Sequence, residues 1–155
     1  MLKPGTPAPL FTATLDDGSP FDLAALRGQN VVLYFYPKDF TTGCTAQACS
    51  FRDNYVAITA AGAALFGVSG DGEDSHTRFR ERHNLPFPLI ADPGREVHRL
   101  YEVTGLIPFI TPRITYVIDA EGVIRAAIRH DLLVTQHIPD VLAALKQLGP
   151  APEAS

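Results

Sequence analysis

The chain has 155 residues, 46% of them apolar, and a formal net charge of −4. That length and composition suit one domain with a substantial core, and the charge supplies no basic field to draw it to nucleic acid or to an anionic membrane. Met1-Leu2-Lys3-Pro4-Gly5 opens no apolar signal-peptide core, and the least polar stretch, Val56 to Val68, is too short to span a bilayer. The expected compartment is therefore the reducing cytosol, where structural disulfides are rare.

Pro4, Pro7 and Pro9 form an extended lead-in. Phe11 to Leu15 and Pro20 to Leu23 read as two short strands around the turn Asp16-Asp17-Gly18-Ser19. Asn30 to Tyr36 is a continuous run rich in valine and aromatics, the pattern of a strand covered on both faces. Cys44 to Ala61 has helical spacing, and Ala63 to Ser69 is a second buried strand punctuated by Asp71-Gly72. Asp74 is expected to cap a helix over 75–83, and Pro86 to Ile90 to form a short strand. Asp92-Pro93-Gly94-Arg95-Glu96 reads as a cap with proline in the first turn of a helix running to about Tyr101. Arg113 to Asp119 and Val123 to Ile128 make a hairpin through Ala120-Glu121-Gly122. Gln136 to Leu148 is an amphipathic helix with Ile138, Val141, Leu142, Leu145 and Leu148 on one face.

Residues 1–149 are thus expected to form one α/β domain, with a central mixed sheet flanked by helices in the order of a thioredoxin-like fold. Residues 150–155 are read as a flexible polar tail.

The chain's two cysteines, Cys44 and Cys49, follow the apolar strand across a turn. Cys44 falls at the start of the next helix, where unpaired N–H groups and the helix dipole favour an anion. A thiol there is expected to be acidified toward the nucleophilic thiolate. Thr41 or Thr42 is placed to cap the helix, and Gly43 to let backbone approach the sulfur. Five residues along a helix give about 7.5 Å of rise and about 140° of rotation. A disulfide needs Cα atoms about 4.4–6.8 Å apart, so an intact helix cannot hold a Cys44–Cys49 bond.

Other thiol and metal chemistries find less support. The sequence has no Cys-x-x-Cys, so no zinc knuckle and no thioredoxin-type oxidoreductase motif. His76, His83, His98, His130 and His137 show no ligand spacing and are read as mostly surface or interface residues. No local motif supports a papain-type base for Cys44. Neither a metal nor a cofactor is expected. A redox-sensing or holdase-like binding protein that uses the cysteine pair as a switch remains a reading from another class, beside the lower-ranked thiol–disulfide oxidoreductase. Arg113, at the start of its strand, is expected to pack near the first helix's N-terminus, where a guanidinium stabilises a thiolate and donates to a bound oxyanion.

Pro37-x-x-x-Thr41-x-x-Cys44, with Arg113 in Arg-Ile-Thr-Tyr-Val-Ile-Asp, resembles the peroxiredoxin signature. Tyr34-Phe35-Tyr36-Pro37-Lys38-Asp39, then Gly43-Cys44-Thr45 and Ala48-Cys49-x-Phe51-Arg52-Asp53, is similar to the bacterioferritin comigratory protein, or peroxiredoxin Q, subfamily. The resemblance runs over residues 3–148. It implies a thiol peroxidase acting on hydrogen peroxide and organic hydroperoxides. Cys44 would be the peroxidatic cysteine and Cys49 the resolving one, joined by an intramolecular disulfide. Thr41 and Arg113 would hydrogen-bond the peroxide, and Pro37 would shield the sulfur. Thioredoxin or a similar dithiol would recycle the enzyme, which the resemblance implies is a monomer.

Two positions depart from the subfamily. Thr42 stands where it often has proline, and Gln47 where it often has glutamate. Gln47 keeps the hydrogen bond without the charge, so the Cys44 thiolate should be no less favoured than with glutamate. Phe40, Leu106, Ile107, Pro108, Phe109 and Ile110 are candidates for an apolar rim, with ordinary packing the favoured alternative.

Overall fold

The structure is a computed structural model that describes residues 1–104 and 111–149. The tail 150–155 and the apolar stretch 106–110 lie outside the described residues. Seven strands form one sheet: β1 (Thr12–Leu15), β2 (Pro20–Asp22), β3 (Asn30–Phe35), β4 (Ala63–Ser69), β5 (Leu89–Ala91), β6 (Ile114–Ile118) and β7 (Ile124–Arg129). Their order across the sheet is β2-β1-β5-β4-β3-β6-β7. β3 pairs with β4 in parallel and with β6 antiparallel, so it lies near the middle of the sheet. Among the described residues five α-helices flank the sheet: α1 (Thr42–Asp53), α2 (Tyr55–Ala60), α3 (Glu73–His83), α4 (Glu96–Leu100) and α5 (His137–Leu148).

All six residues of β3 are buried, because both faces of the sheet are covered. The period of two divides them. Val32 and Tyr34 enter a core shared with Phe51 of α1 and Val141 and Leu145 of α5. Val31, Leu33 and Phe35 enter a second core with Phe11, Tyr101 and Tyr116. Tyr34 stacks on Phe51 with ring centroids 4.4 Å apart. It lies opposite Gly67 of β4. A Cβ at Gly67 would stand 2.7 Å from the Tyr34 ring and 2.9 Å from Leu89, so this strand position accommodates the tyrosine only without a side chain.

Several expected boundaries move for physical reasons. The helical run 44–61 is two helices, since Asn54 leaves helical geometry and its side-chain amide donates to the Ser50 carbonyl, closing α1. Asp74 does not cap α3. The helix begins at Glu73 behind Gly72, with both acids in the first turn, where the dipole favours negative charge. Pro93 lies outside α4, yet Asp92 reaches across the turn to accept from the Val97 and His98 N–H groups. Among the described residues no helix is long and apolar enough to cross a membrane.

Candidate active site

β3 ends at Phe35, and the chain turns through 36–41 into α1. Thr41 is the N-cap residue but its hydroxyl makes no cap bond, contrary to the expectation from sequence. Instead it donates to the Lys38 carbonyl at 2.9 Å. A carbonyl can only accept, so the Thr41 oxygen keeps its lone pairs for another donor. Phe40, just before it, is non-glycine at φ 64, and its exposed ring packs against Phe79 at 5.2 Å. Pro37 is half-buried beside the turn.

Cys44 lies in the first turn of α1 and is 1% exposed, in the same apolar cluster as Val32, Tyr34 and Tyr36. Arg113 is buried beside it. Its Nη2 lies 2.7 Å from where a Cβ on Gly43 would stand, so the bare glycine backbone lets the guanidinium sit against the helix start. Arg113 Nη1 donates to Gln47 Oε1 at 3.0 Å, while the buried Gln47 Nε2 has no partner among the described residues. The Arg113 N–H donates to Asp131 at 2.8 Å. Burial pushes the Asp131 carboxyl up, but the Arg113 N–H and the Arg129 guanidinium outweigh it and hold it below its ordinary value. Cys49 is half-buried on the same continuous helix, and both thiols are free.

The histidines correct the surface reading. His76, His98 and His137 are fully buried because each finds a polar partner inside. His98 Nδ1 meets Asp92 at 2.6 Å. His137 lies 2.8 Å from the Thr115 hydroxyl and 3.0 Å from the His130 carbonyl. His76 Nδ1 meets Asp39 Oδ2 at 2.7 Å, and its Nε2 meets the Ile90 carbonyl at 3.0 Å.

Sequence reasoning missed Asp39 and Asp71, which stand under the turn. Asp39 Oδ1 accepts from the Tyr36 hydroxyl, and Oδ2 from Ser75. Burial above all, then Tyr34 and Asp39, push Tyr36 well above the ordinary tyrosine range, so it remains a donor. The available signal was an acid set between Pro37 and Thr41, directly behind a fully apolar strand.

The arrangement places a thiol in the first turn of a helix and a guanidinium against that helix start, with the Thr41 hydroxyl at the N-cap position, equipment suited to cleaving a polarised bond beside sulfur. Its relatives agree. The profile of the AhpC/TSA family matches residues 4–127. The chloroplastic peroxiredoxin Q of Sedum lineare is 40% identical over 149 residues, covering 96% of this chain and 80% of that protein. A solved structure of Xanthomonas campestris peroxiredoxin Q has a TM-score of 0.83 at 33% identity, covering 88% of this chain and 90% of that one. The peroxidoxin BcpB of Mycobacterium tuberculosis superposes with a TM-score of 0.88 at 28% identity, over 96% of this chain and 99% of that one. Full-length likeness in sequence and fold thus converges with a cysteine in the first turn of a helix beside a buried arginine, and the chain belongs to the AhpC/TSA family as a peroxiredoxin of the Q type, a thiol-dependent peroxidase.

Proposed function

We propose that Cys44 is the peroxidatic cysteine and Cys49 the resolving cysteine of an intramolecular cycle. The Cys44 thiolate attacks the distal oxygen of a hydroperoxide. The O–O bond breaks, the sulfur keeps that oxygen as a sulfenic acid, and the other oxygen leaves as water or an alcohol after taking a proton. Thr41 accepts the peroxide O–H, and Arg113 donates to the oxygen on which charge develops. Pro37 shields the sulfur from water. Cys49 then condenses with the sulfenic acid, releasing water and forming the disulfide. A dithiol of the thioredoxin type reduces that bond by exchange.

The observation that carries this reading is the Arg113 guanidinium against bare Gly43 at the first turn of α1, one residue from Cys44. The substrates we assign are hydrogen peroxide and organic hydroperoxides. A bacterioferritin comigratory protein of Xanthomonas campestris, 32% identical, has been studied for alkyl peroxide reduction. We read the enzyme as a monomer working in the cytosol, a reducing compartment in which a dithiol partner can reopen the disulfide of the cycle.

The test is peroxide-dependent NADPH consumption through thioredoxin reductase and thioredoxin. Wild type should turn over continuously. Cys44→Ser should fall to background. Cys49→Ser should consume one equivalent of peroxide and then stop. Continuous, thioredoxin-supported turnover by Cys49→Ser would remove its resolving role, and a disulfide-linked dimer in the oxidised wild type would remove the intramolecular scheme.

A further inference from the structure

Below the turn lies a set of polar groups that this cycle leaves idle: Asp39, Ser69 and His76, which are buried, and Asp71 and Ser75, which are half-buried. One metal-ligand atom from each of Asp39, Asp71 and His76 lies within 4.8 Å of the others. Those atoms are already occupied. Asp71 Oδ2 accepts from the Asp39 N–H at 2.8 Å and from the Ser69 hydroxyl at 2.6 Å. Asp39 Oδ2 receives Ser75 at 2.9 Å and meets His76 Nδ1 at 2.7 Å. The remaining His76 nitrogen is held by the Ile90 carbonyl. This is the bonding of a clamp, with both ring nitrogens of His76 already engaged by protein partners.

What the clamp holds is one peptide plane. The Asp39 N–H that Asp71 receives and the Lys38 carbonyl that Thr41 donates to belong to the same Lys38–Asp39 peptide unit. A trans peptide is flat, and its N–H and C=O point in opposite directions. Drawing the N–H down onto Asp71 therefore aims the carbonyl at the Thr41 hydroxyl. That carbonyl accepts the hydroxyl hydrogen bond and so fixes the direction of the lone pairs. Asp71 is itself set by Ser69 at the end of β4, through its carboxylate and through its own N–H at 3.2 Å. Asp39 is set by Tyr36, Ser75 and His76 on β3's end and on α3.

We propose that Asp71, with Asp39 behind the same peptide, is a positioning residue for peroxide reduction: it fixes the Lys38–Asp39 plane and so holds the Thr41 oxygen as an acceptor aimed at the substrate O–H. This rests on Cys44 as the attacking thiol. Asp71 touches neither sulfur nor peroxide in this scheme. Its effect should fall on the reaction that needs Thr41 and spare one that does not.

The experiment uses the reduced full chain in a Cys49→Ser background, so that Cys44 is its sole thiol. Two reagents are compared at one pH: hydrogen peroxide, and iodoacetamide, which needs an accessible thiolate but no hydroxyl acceptor. Asp71→Ala should slow the peroxide reaction about 10- to 100-fold and leave alkylation within about twofold. Asp71→Asn, whose amide oxygen still accepts, should recover to within about fivefold of the parent. An unchanged peroxide rate, or a parallel loss with both reagents, overturns the proposal. Should Asp71→Ala fail to fold, Ser69→Ala should give the same selective loss at about two- to tenfold, and its absence overturns the proposal equally. A Cys44→Ser chain that still consumes peroxide overturns the site reading itself. An inactive Cys44→Ser beside an unaffected Asp71→Ala overturns the positioning role alone.

Discussion

The turn 37–41 and helix α1 adjoin in sequence and are built in opposite ways. The turn is tied at its backbone to Asp71 and at its side chain to Tyr36, Ser75 and His76. The helix starts without a side-chain cap, carries no acid in its first turn, and ends after twelve residues at Asn54. A helix with those features has little local stability of its own and depends on packing. Of its residues, Cys44, Gln47, Ala48 and Phe51 are buried, and Phe51 alone among them is a large apolar anchor. The difference teaches which part of the site can move. The hydroxyl we assign as the peroxide acceptor stays with the sheet, while the thiols ride on a segment that can unwind. Because an intact helix holds Cys44 and Cys49 too far apart for a bond, a Cys44–Cys49 disulfide would require that unwinding in each cycle.

The largest break in this contrast is expected at Arg113, which belongs to the fixed side yet reaches the helix start. Arg113→Met should lower the second-order rate of Cys44 oxidation by about 10² to 10³-fold, read by stopped-flow with hydrogen peroxide. It also frees Gln47, so the disulfide step should not slow. A variant that oxidises normally would show that the guanidinium does no work on the peroxide.

The contrast is sharpened at Thr42. This is the first helical residue, and Thr41 before it already has φ −80 and ψ 152, the conformation that precedes proline. Thr42→Pro should therefore fit without strain and stabilise the helix start by about 0.4–1 kcal/mol. The peroxide step should be unchanged. Capture of the sulfenic acid by Cys49 should slow by about two- to fivefold, the same free energy read as a rate. Faster capture would mean that unwinding begins elsewhere.

The smallest effect is one of pH. Burial above all, joined by the charges of His130 and Arg113, pushes His137 below the ordinary imidazole range. The folded state thus prefers it neutral, and the unfolded chain takes up the proton first as pH falls. Stability should be fully present above about pH 6.5 and should decline below it, through the lowered value. Asp131, held low beside Arg113, adds a second loss below about pH 4. Urea midpoints measured across this range should show the first slope in wild type and a flatter one in His137→Gln. An equal slope in both would assign it to another group.

Much of the frame was legible because its signals are local. β3 announces itself by an unbroken apolar run, β4 matches its expected span, and the hairpin 114–129 falls about its Gly122 turn. The family phrase around Cys44 is likewise contiguous. The missed parts depend on partners far along the chain. His76 reads as polar until Asp39, 37 residues away, supplies its partner. Asp71 reads as turn punctuation until the Asp39 N–H, 32 residues away, lands on it. The end of α1 was missed for a nearer reason: Asn54 can continue a helical pattern, and its side-chain bond to Ser50 decides otherwise.

Gly67 beneath Tyr34 has a consequence for how such a sequence can change. A methyl group at 67 alone would strike the tyrosine ring and Leu89, and a smaller side chain at 34 alone would leave Phe51 without its stacking partner. Each change is costly on the background of the other's original residue, and the two costs overlap. Substitution at this crossing of β3 and β4 is therefore epistatic. Lineages that keep tyrosine on the central strand should keep glycine opposite it, and those that abandon one should be free to abandon both.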